Sequence, residues 1–233
     1  MKTIGILGGM SWESTAHYYR RINEGVKQRL GGLHSARVAL VSVDFATIEP
    51  LQAADDWAAA GAVLADEARR VEAAGADFLL LATNTMHRCA DAVERAVDIP
   101  LLHLADATAD AALARGHGRV ALLGTRYTME QPFYRERLEA RGLTVDVPGA
   151  SDRAELNRVI FDELCLGTVD PRSRDTLLRI IDDLGAAGAD AVIAGCTEIT
   201  MLIGADDSPL SLLDTTAIHA DAAVEAALLD DAQ

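Results

Sequence analysis

The chain has 233 residues, half of them hydrophobic, and a formal net charge of −15, which is room for one large domain or two lobes with real cores. So acidic a surface repels polyanions and excludes nucleic acid as a partner, and no run of about 18 uninterrupted apolar residues offers a membrane span. Cys89, Cys165 and Cys196 include no C-x-x-C pair, which fits free thiols in a reducing cytoplasm better than a disulfide framework or a metal site.

The N-terminus reads straight into a strand with no basic and apolar leader, so the expectation is a soluble, unexported, cytoplasmic protein. Apolar runs of strand length then alternate with segments of helical period. Strands are expected at 3–8, 37–44, 77–82, 119–123, 143–147, 190–194 and 210–213. Helices are expected at 12–30, 56–74, 86–97, 104–115, 130–141, 152–165, 172–187, 198–204 and 215–229. This alternation predicts an α/β fold with mainly parallel sheets. Pro100 marks the crossover between a first lobe over 1–103 and a second over 104–213, and the C-terminal helix, 214–233, is expected to return to the first lobe.

The halves repeat. Ala73-Ala74-Gly75-Ala76-Asp77 recurs letter for letter as Ala186-Ala187-Gly188-Ala189-Asp190, 113 positions later, and the same offset sets Thr83 against Cys196. The halves also open alike, with Thr3-Ile4-Gly5-Ile6-Leu7-Gly8-Gly9 in one and Arg119-Val120-Ala121-Leu122-Leu123-Gly124-Thr125 in the other. Two similar lobes related by a pseudo-twofold axis would bring the matching strand ends to one cleft. Such ends are where open α/β sheets hold their ligands.

Four strand ends carry suitable chemistry. Gly8-Gly9-Met10-Ser11-Trp12-Glu13-Ser14 offers a glycine turn with Ser11 as a helix cap. It does not spell the G-x-G-x-x-G of a dinucleotide site. Thr83-Asn84-Thr85-Met86-His87 and Gly195-Cys196-Thr197-Glu198 each place a proton-carrying side chain at an expected helix start, where free N–H groups attract a carboxylate and depress a thiol pKa. Gly124-Thr125-Arg126-Tyr127-Thr128 could add hydroxyls and amides. Thr83 as a simple helix cap and Cys196 as a core cysteine remain open readings. Cys89 and Cys165, inside expected helices, are read as inert core.

The octet Gly8-Gly9-Met10-Ser11-Trp12-Glu13-Ser14-Thr15, with Asn84-Thr85-Met86-His87, Gly195-Cys196-Thr197-Glu198, Ser42-Val43-Asp44-Phe45 and Gly124-Thr125-Arg126-Tyr127-Thr128-Met129-Glu130-Gln131, resembles the aspartate/glutamate racemase family. Within it the pattern is most similar to the bacterial broad-specificity amino-acid racemase group. The resemblance implies a racemase that uses no cofactor or metal, acts on a small amino-acid substrate between two lobes, and forms a homodimer. It implies Thr83 and Cys196 as the two catalytic bases, the first standing where most of the family has a cysteine. It implies further that Asn84, Thr85 and Thr197 hold the α-carboxylate, that Met10 and Gln52 line the pocket, that Thr125 contributes from its strand end, and that Glu198 tunes the thiol or binds the ammonium. His87, one turn from Thr83, would tune its hydroxyl or simply sit on a helix face. Leu166 occupies the position where acid-specific relatives often carry a lysine, which keeps neutral substrates in play. Two alternatives stay open: a single-thiol decarboxylase or cis-trans isomerase of a diacid, and a catalytically impaired amino-acid-binding protein.

Overall fold

In a computed structural model that describes residues 1–229, seven strands form two sheets. They are β1 (Ile4–Gly8), β2 (Val38–Ser42), β3 (Phe78–Leu81), β4 (Arg119–Gly124), β5 (Thr144–Asp146), β6 (Ala191–Gly195) and β7 (Ser211–Asp214). The helices are α1 (Trp12–Leu30), α2 (Glu49–Ala53), α3 (Trp57–Ala73), α4 (Ala90–Glu94), α5 (Leu104–Ala114), α6 (Arg126–Glu130), α7 (Pro132–Ala140), α8 (Ala150–Arg158), α9 (Pro171–Ala186), α10 (Ile199–Leu202) and α11 (Thr215–Leu228). Every strand pair is parallel, as the α/β alternation predicts. No helix among the described residues is long and apolar enough to cross a membrane.

The chain divides into two compact units, one over Met1–Leu104 with the segment from Thr216 onward, the other over Ala105–Thr215. In the first unit the sheet order is β2-β1-β3, and in the second it is β5-β4-β6-β7. The counterpart of β7 in the first unit is a single parallel bridge from Leu79 to Leu101. Pro100 explains the shortening, since a residue without an N–H cannot donate to a ladder; its carbonyl still accepts from the Leu79 N–H at 2.9 Å.

Period-two alternation sets the two faces of the first sheet. Ile4, Ile6, Phe78 and Leu80 pack with Tyr18, Ile22 and Val26 of α1 and with Ala220, Ala223, Val224 and Ala227 of α11. Leu7, Leu79 and Leu81 turn the other way, onto Leu64, Ala68 and Val71 of α3. In the second unit Ala121, Leu123, Val192 and Ala194 pack against Leu156 of α8 and against Leu177, Ile180 and Ile181 of α9. These side chains are almost fully buried, and each contributes roughly 1.5–3 kcal/mol for the large aliphatics.

The repeat in the sequence is a repeat in hydrogen bonding. Gly75 and Gly188 both take positive φ, 86° and 106°, and each closes its preceding helix with an N–H bond of 2.9 Å or less, to Glu72 and Gly185 respectively. Glycine is needed there because L side chains disfavour that conformation. The aspartates that follow act alike: Asp77 takes the Thr3 N–H at 2.5 Å and Asp190 the Arg119 N–H at 3.3 Å. The strand registers agree as well, with Ile4 opposite Phe78 and Val120 opposite Ala191.

Candidate active site

In the first unit the β1–α1 turn is built around Gly9, whose φ is 88°. A Cβ there would lie 2.1 Å from the Val43 carbonyl oxygen, so no other residue fits. Ser11 caps α1, its hydroxyl accepting from the Ser14 N–H at 3.2 Å. Met10 is buried in the core cluster with Leu7 and Leu81, and Gln52 is buried on the short α2. Neither that helix nor the turn at Phe45–Thr47 was expected from the sequence, because neither is long enough to display a period.

Thr83 follows β3 by two residues and is half-buried, between buried Ala82 and Asn84. It is not a helix cap. The turn beyond it is a 3-10 helix over Thr85–Cys89 whose cap position is Asn84, with no side-chain capping bond, and α4 starts only at Ala90. The Ala82 N–H upstream donates to the Leu7 carbonyl at 2.9 Å. Downstream, His87 Nδ1 lies 2.6 Å from the Thr83 carbonyl oxygen. The imidazole therefore holds the backbone of Thr83, not its hydroxyl as the spacing alone suggested.

In the second unit Gly124 pairs with Gly195, which sets Thr125 beside Cys196 at the carboxyl edge of the sheet. Thr125 is buried and caps α6, its hydroxyl accepting from the Thr128 N–H at 3.4 Å. Cys196 is buried, at 9% exposure. Its thiol donates to Glu198 Oε2 at 2.8 Å, while Thr197 and Glu198 are half-buried. Burial first, and the Glu198 carboxylate second, push the Cys196 thiol well above its ordinary pKa. This corrects the expectation of a depressed thiol. The helix that was to depress it, α10, starts at Ile199 and has four residues, so its dipole is slight, and a carboxylate sits where the thiolate charge would form.

The other cysteines differ. Cys89 lies in the first unit's core, where burial pushes its thiol up to about 11. Cys165, expected in a core helix, is exposed, because the helix beyond α8 loosens into a π-turn over Val159–Glu163 and a 3-10 turn over Leu164–Leu166. Leu166 on that turn is 74% exposed.

The surroundings of His87 were not anticipated from its motif. Its ring meets that of His103 edge-on, with centroids 4.5 Å apart, and that of His219 at 5.9 Å. All three histidines are buried in the first unit, at 3% exposure or less. His219 takes the Tyr18 hydroxyl on Nδ1 at 2.9 Å and gives Nε2–H to the Leu102 carbonyl at 2.8 Å. Burial lowers its pKa to about 4. The available signal was Leu101-Leu102-His103-Leu104 and Ile218-His219-Ala220, histidines set among apolar residues.

Each unit thus presents, at the carboxyl end of an equivalent strand, one side chain able to carry a proton. Comparison with known proteins places the chain in a family. Residues 7–223 match the family described as Asp/Glu/hydantoin racemase, and the protein belongs to that family. It is 52% identical to a Yersinia pestis protein assigned to the Asp/Glu racemases, over 98% of this chain and 100% of that one, with a TM-score of 0.94. An aspartate racemase homologue from Pyrococcus horikoshii is 35% identical, over 97% of this chain and 99% of that one, with a TM-score of 0.86. The broad-specificity amino-acid racemase RacX of Bacillus subtilis is 22% identical over 229 residues, 95% of this chain and 96% of that protein.

Proposed function

We propose that the protein is a cofactor-independent amino-acid racemase, of aspartate/glutamate or broad specificity, in which Cys196 and Thr83 work on opposite faces of the substrate α-carbon. The observation that carries this reading is the equivalence of the two positions. They stand at matching ends of strands with matching register, in a chain whose family is one of racemases.

Breaking an α C–H bond without a cofactor demands stabilisation of carbanion-like charge and a base in contact with the proton. In the proposed step the Cys196 proton moves to the Glu198 carboxylate, 2.8 Å away, and the thiolate takes the α-proton. The electron pair delocalises into the substrate carboxylate, held by Asn84, Thr85 and Thr197 as oxyanion donors. The Thr83 hydroxyl then gives its proton to the opposite face and is reprotonated from solvent, while Glu198 returns to solvent the proton it took from Cys196. Met10, Gln52 and Thr125 are assigned to the pocket wall. A hydroxyl donates more readily than it abstracts, so α-proton exchange is faster from the enantiomer that faces Cys196. The exposed Leu166 in place of a cation, and the name of the Bacillus subtilis relative, favour breadth over strict acid specificity.

The test is α-proton exchange in heavy water across single-enantiomer amino acids, acidic and neutral. The reading expects exchange with both enantiomers of at least one amino acid, faster for the one drawn by Cys196. No exchange with any amino acid, together with turnover of a malonate or maleate, would replace it with the single-thiol enzyme. Tight binding without exchange would leave a binding protein.

A further inference from the structure

We infer that His87 is a positioning residue for the Thr83 half of the reaction, acting as a neutral, Nδ1-protonated imidazole that fixes the Thr83 backbone; the inference rests on the racemase reading above. Two backbone partners with invariant roles set the tautomer. The Thr83 carbonyl can only accept, so Nδ1 must carry the proton across the 2.6 Å contact. The Leu104 N–H can only donate, and it reaches Nε2 at 3.2 Å, so that nitrogen must present its lone pair. A neutral imidazole satisfies both and an imidazolium does not.

The ring is anchored on the side away from Thr83. The Tyr18 hydroxyl donates to His219 Nδ1, and His219 Nε2 donates to the Leu102 carbonyl. Two residues on, the Leu104 N–H donates to His87, and His87 donates to Thr83. Leu102, His103 and Leu104 are the last residues of the first unit before the chain leaves it, and His219 lies three residues after the chain re-enters at Thr216. The cluster therefore ties Thr83 to both ends of the chain where it leaves and rejoins its own unit. A threonine has no long side chain with which to seek its target, so its hydroxyl goes where its backbone puts it. In a proton transfer, displacement by about 1 Å costs as much as 10²-fold.

The second unit has no counterpart. The residue equivalent to His87 at the repeat offset is Thr200, whose hydroxyl donates to the Thr197 carbonyl at 2.8 Å, one residue beyond the carbonyl of Cys196. The long, fixed imidazole is thus a feature of the threonine side alone.

Two substitutions separate the two nitrogens of the ring. In His87→Asn the side-chain amide can stand where Nδ1 stood and keep a donor toward Thr83 while losing the bond to Leu104. In His87→Gln the side chain reaches the Nε2 position and keeps the acceptor for Leu104 while losing the bond to Thr83. The measurement starts from the pure enantiomer drawn by Cys196 in heavy water and compares total α-proton washout with the fraction that emerges as the mirror image. Washout with retention needs only Cys196, whereas inversion needs delivery by Thr83.

The expected result is a drop in the inverted fraction of about tenfold for His87→Gln, with washout within about threefold of wild type, and near wild-type behaviour for His87→Asn. Parallel loss of washout and inversion in both variants would reduce His87 to a structural residue and overturn the inference, as would no change in either. A wild-type protein that exchanges no α-proton would instead overturn the racemase reading itself, before any variant is made. Should both variants fail to fold, long-range proton–nitrogen spectra of the wild-type imidazole decide. A protonated Nδ1 with a bare Nε2 supports the arrangement, and the opposite tautomer ends it.

Discussion

The strand end at Thr83 and the strand end at Cys196 share a backbone and differ in how the side chain proposed to react is supported. Thr83 follows β3 by two residues and Cys196 follows β6 by one, each behind the same small-residue turn and the same aspartate bonds. At Cys196 the partner touches the thiol itself, a carboxylate 2.8 Å from sulfur. At Thr83 the partner touches the carbonyl behind it, an imidazole 2.6 Å away. A thiol has an accessible second protonation state, so a neighbouring base governs what it does. A hydroxyl near neutral pH does not, so only its position can be governed. On the proposed reading the repeated scaffold is fitted twice, once for electrostatics and once for placement.

The harshest way to break this contrast is to make both ends hydroxyls. Cys196→Ser leaves no thiolate in the proposed site, and α-proton exchange from either enantiomer is expected to fall at least about 10²-fold, the usual scale for losing a general base. The volume change is small, so the thermal midpoint should move little. Exchange near the wild-type rate would remove Cys196 from the chemistry.

The converse change makes both ends thiols. Thr83→Cys supplies an ionisable group on the side that lacks one, so α-proton washout from the enantiomer facing residue 83 is expected to speed up by about tenfold, with a smaller change for its mirror image. Initial washout rates in heavy water from each pure enantiomer measure this, since an equilibrium ratio of unity holds kcat/KM for racemisation equal in the two directions whatever the enzyme does. If the wild type already exchanges both enantiomers equally and the variant gains nothing, a group other than Thr83 delivers the second proton.

Periodicity and repetition made the fold legible before either strand end could be understood. All seven strands stand within two residues of where alternation put them, and α1 lies where the cap at Ser11 and the glycine at Gly31 bound it. The repeat carried more, because Gly75 and Gly188 are identical for a backbone reason that the φ angles reveal. What stayed hidden has short range in sequence or long range in space. The helices Glu49–Ala53 and Arg126–Glu130 are five residues each, too short to show a period. The thiol pKa went the wrong way because the motif placed Glu198 nearby but could not say that its carboxylate faces sulfur, nor that the next helix is a single turn. The imidazole cluster joins residues 17 to 201 positions apart, a separation at which one sequence without its relatives is silent.

The finest way to sharpen the contrast removes the carboxylate and leaves its shape. Burial is the larger cause of the raised Cys196 pKa and the Glu198 charge the next, so Glu198→Gln should bring the thiol down part of the way and no further. Removing a negative charge favours the thiolate, hence alkylation of Cys196 by iodoacetamide at neutral pH should become faster, by less than about tenfold. Peptide-resolved mass spectrometry can follow it with the exposed Cys165 as an internal reference and the buried Cys89 as a control for unfolding. Exchange should move in the opposite direction, because the amide cannot receive the proton that sulfur must shed before it can act as a base. That divergence, a more reactive thiol in a slower enzyme, is what a carboxylate serving as proton acceptor requires. Faster alkylation with faster exchange would mean that Glu198 merely restrains the thiol, and unchanged alkylation would mean that burial alone sets it.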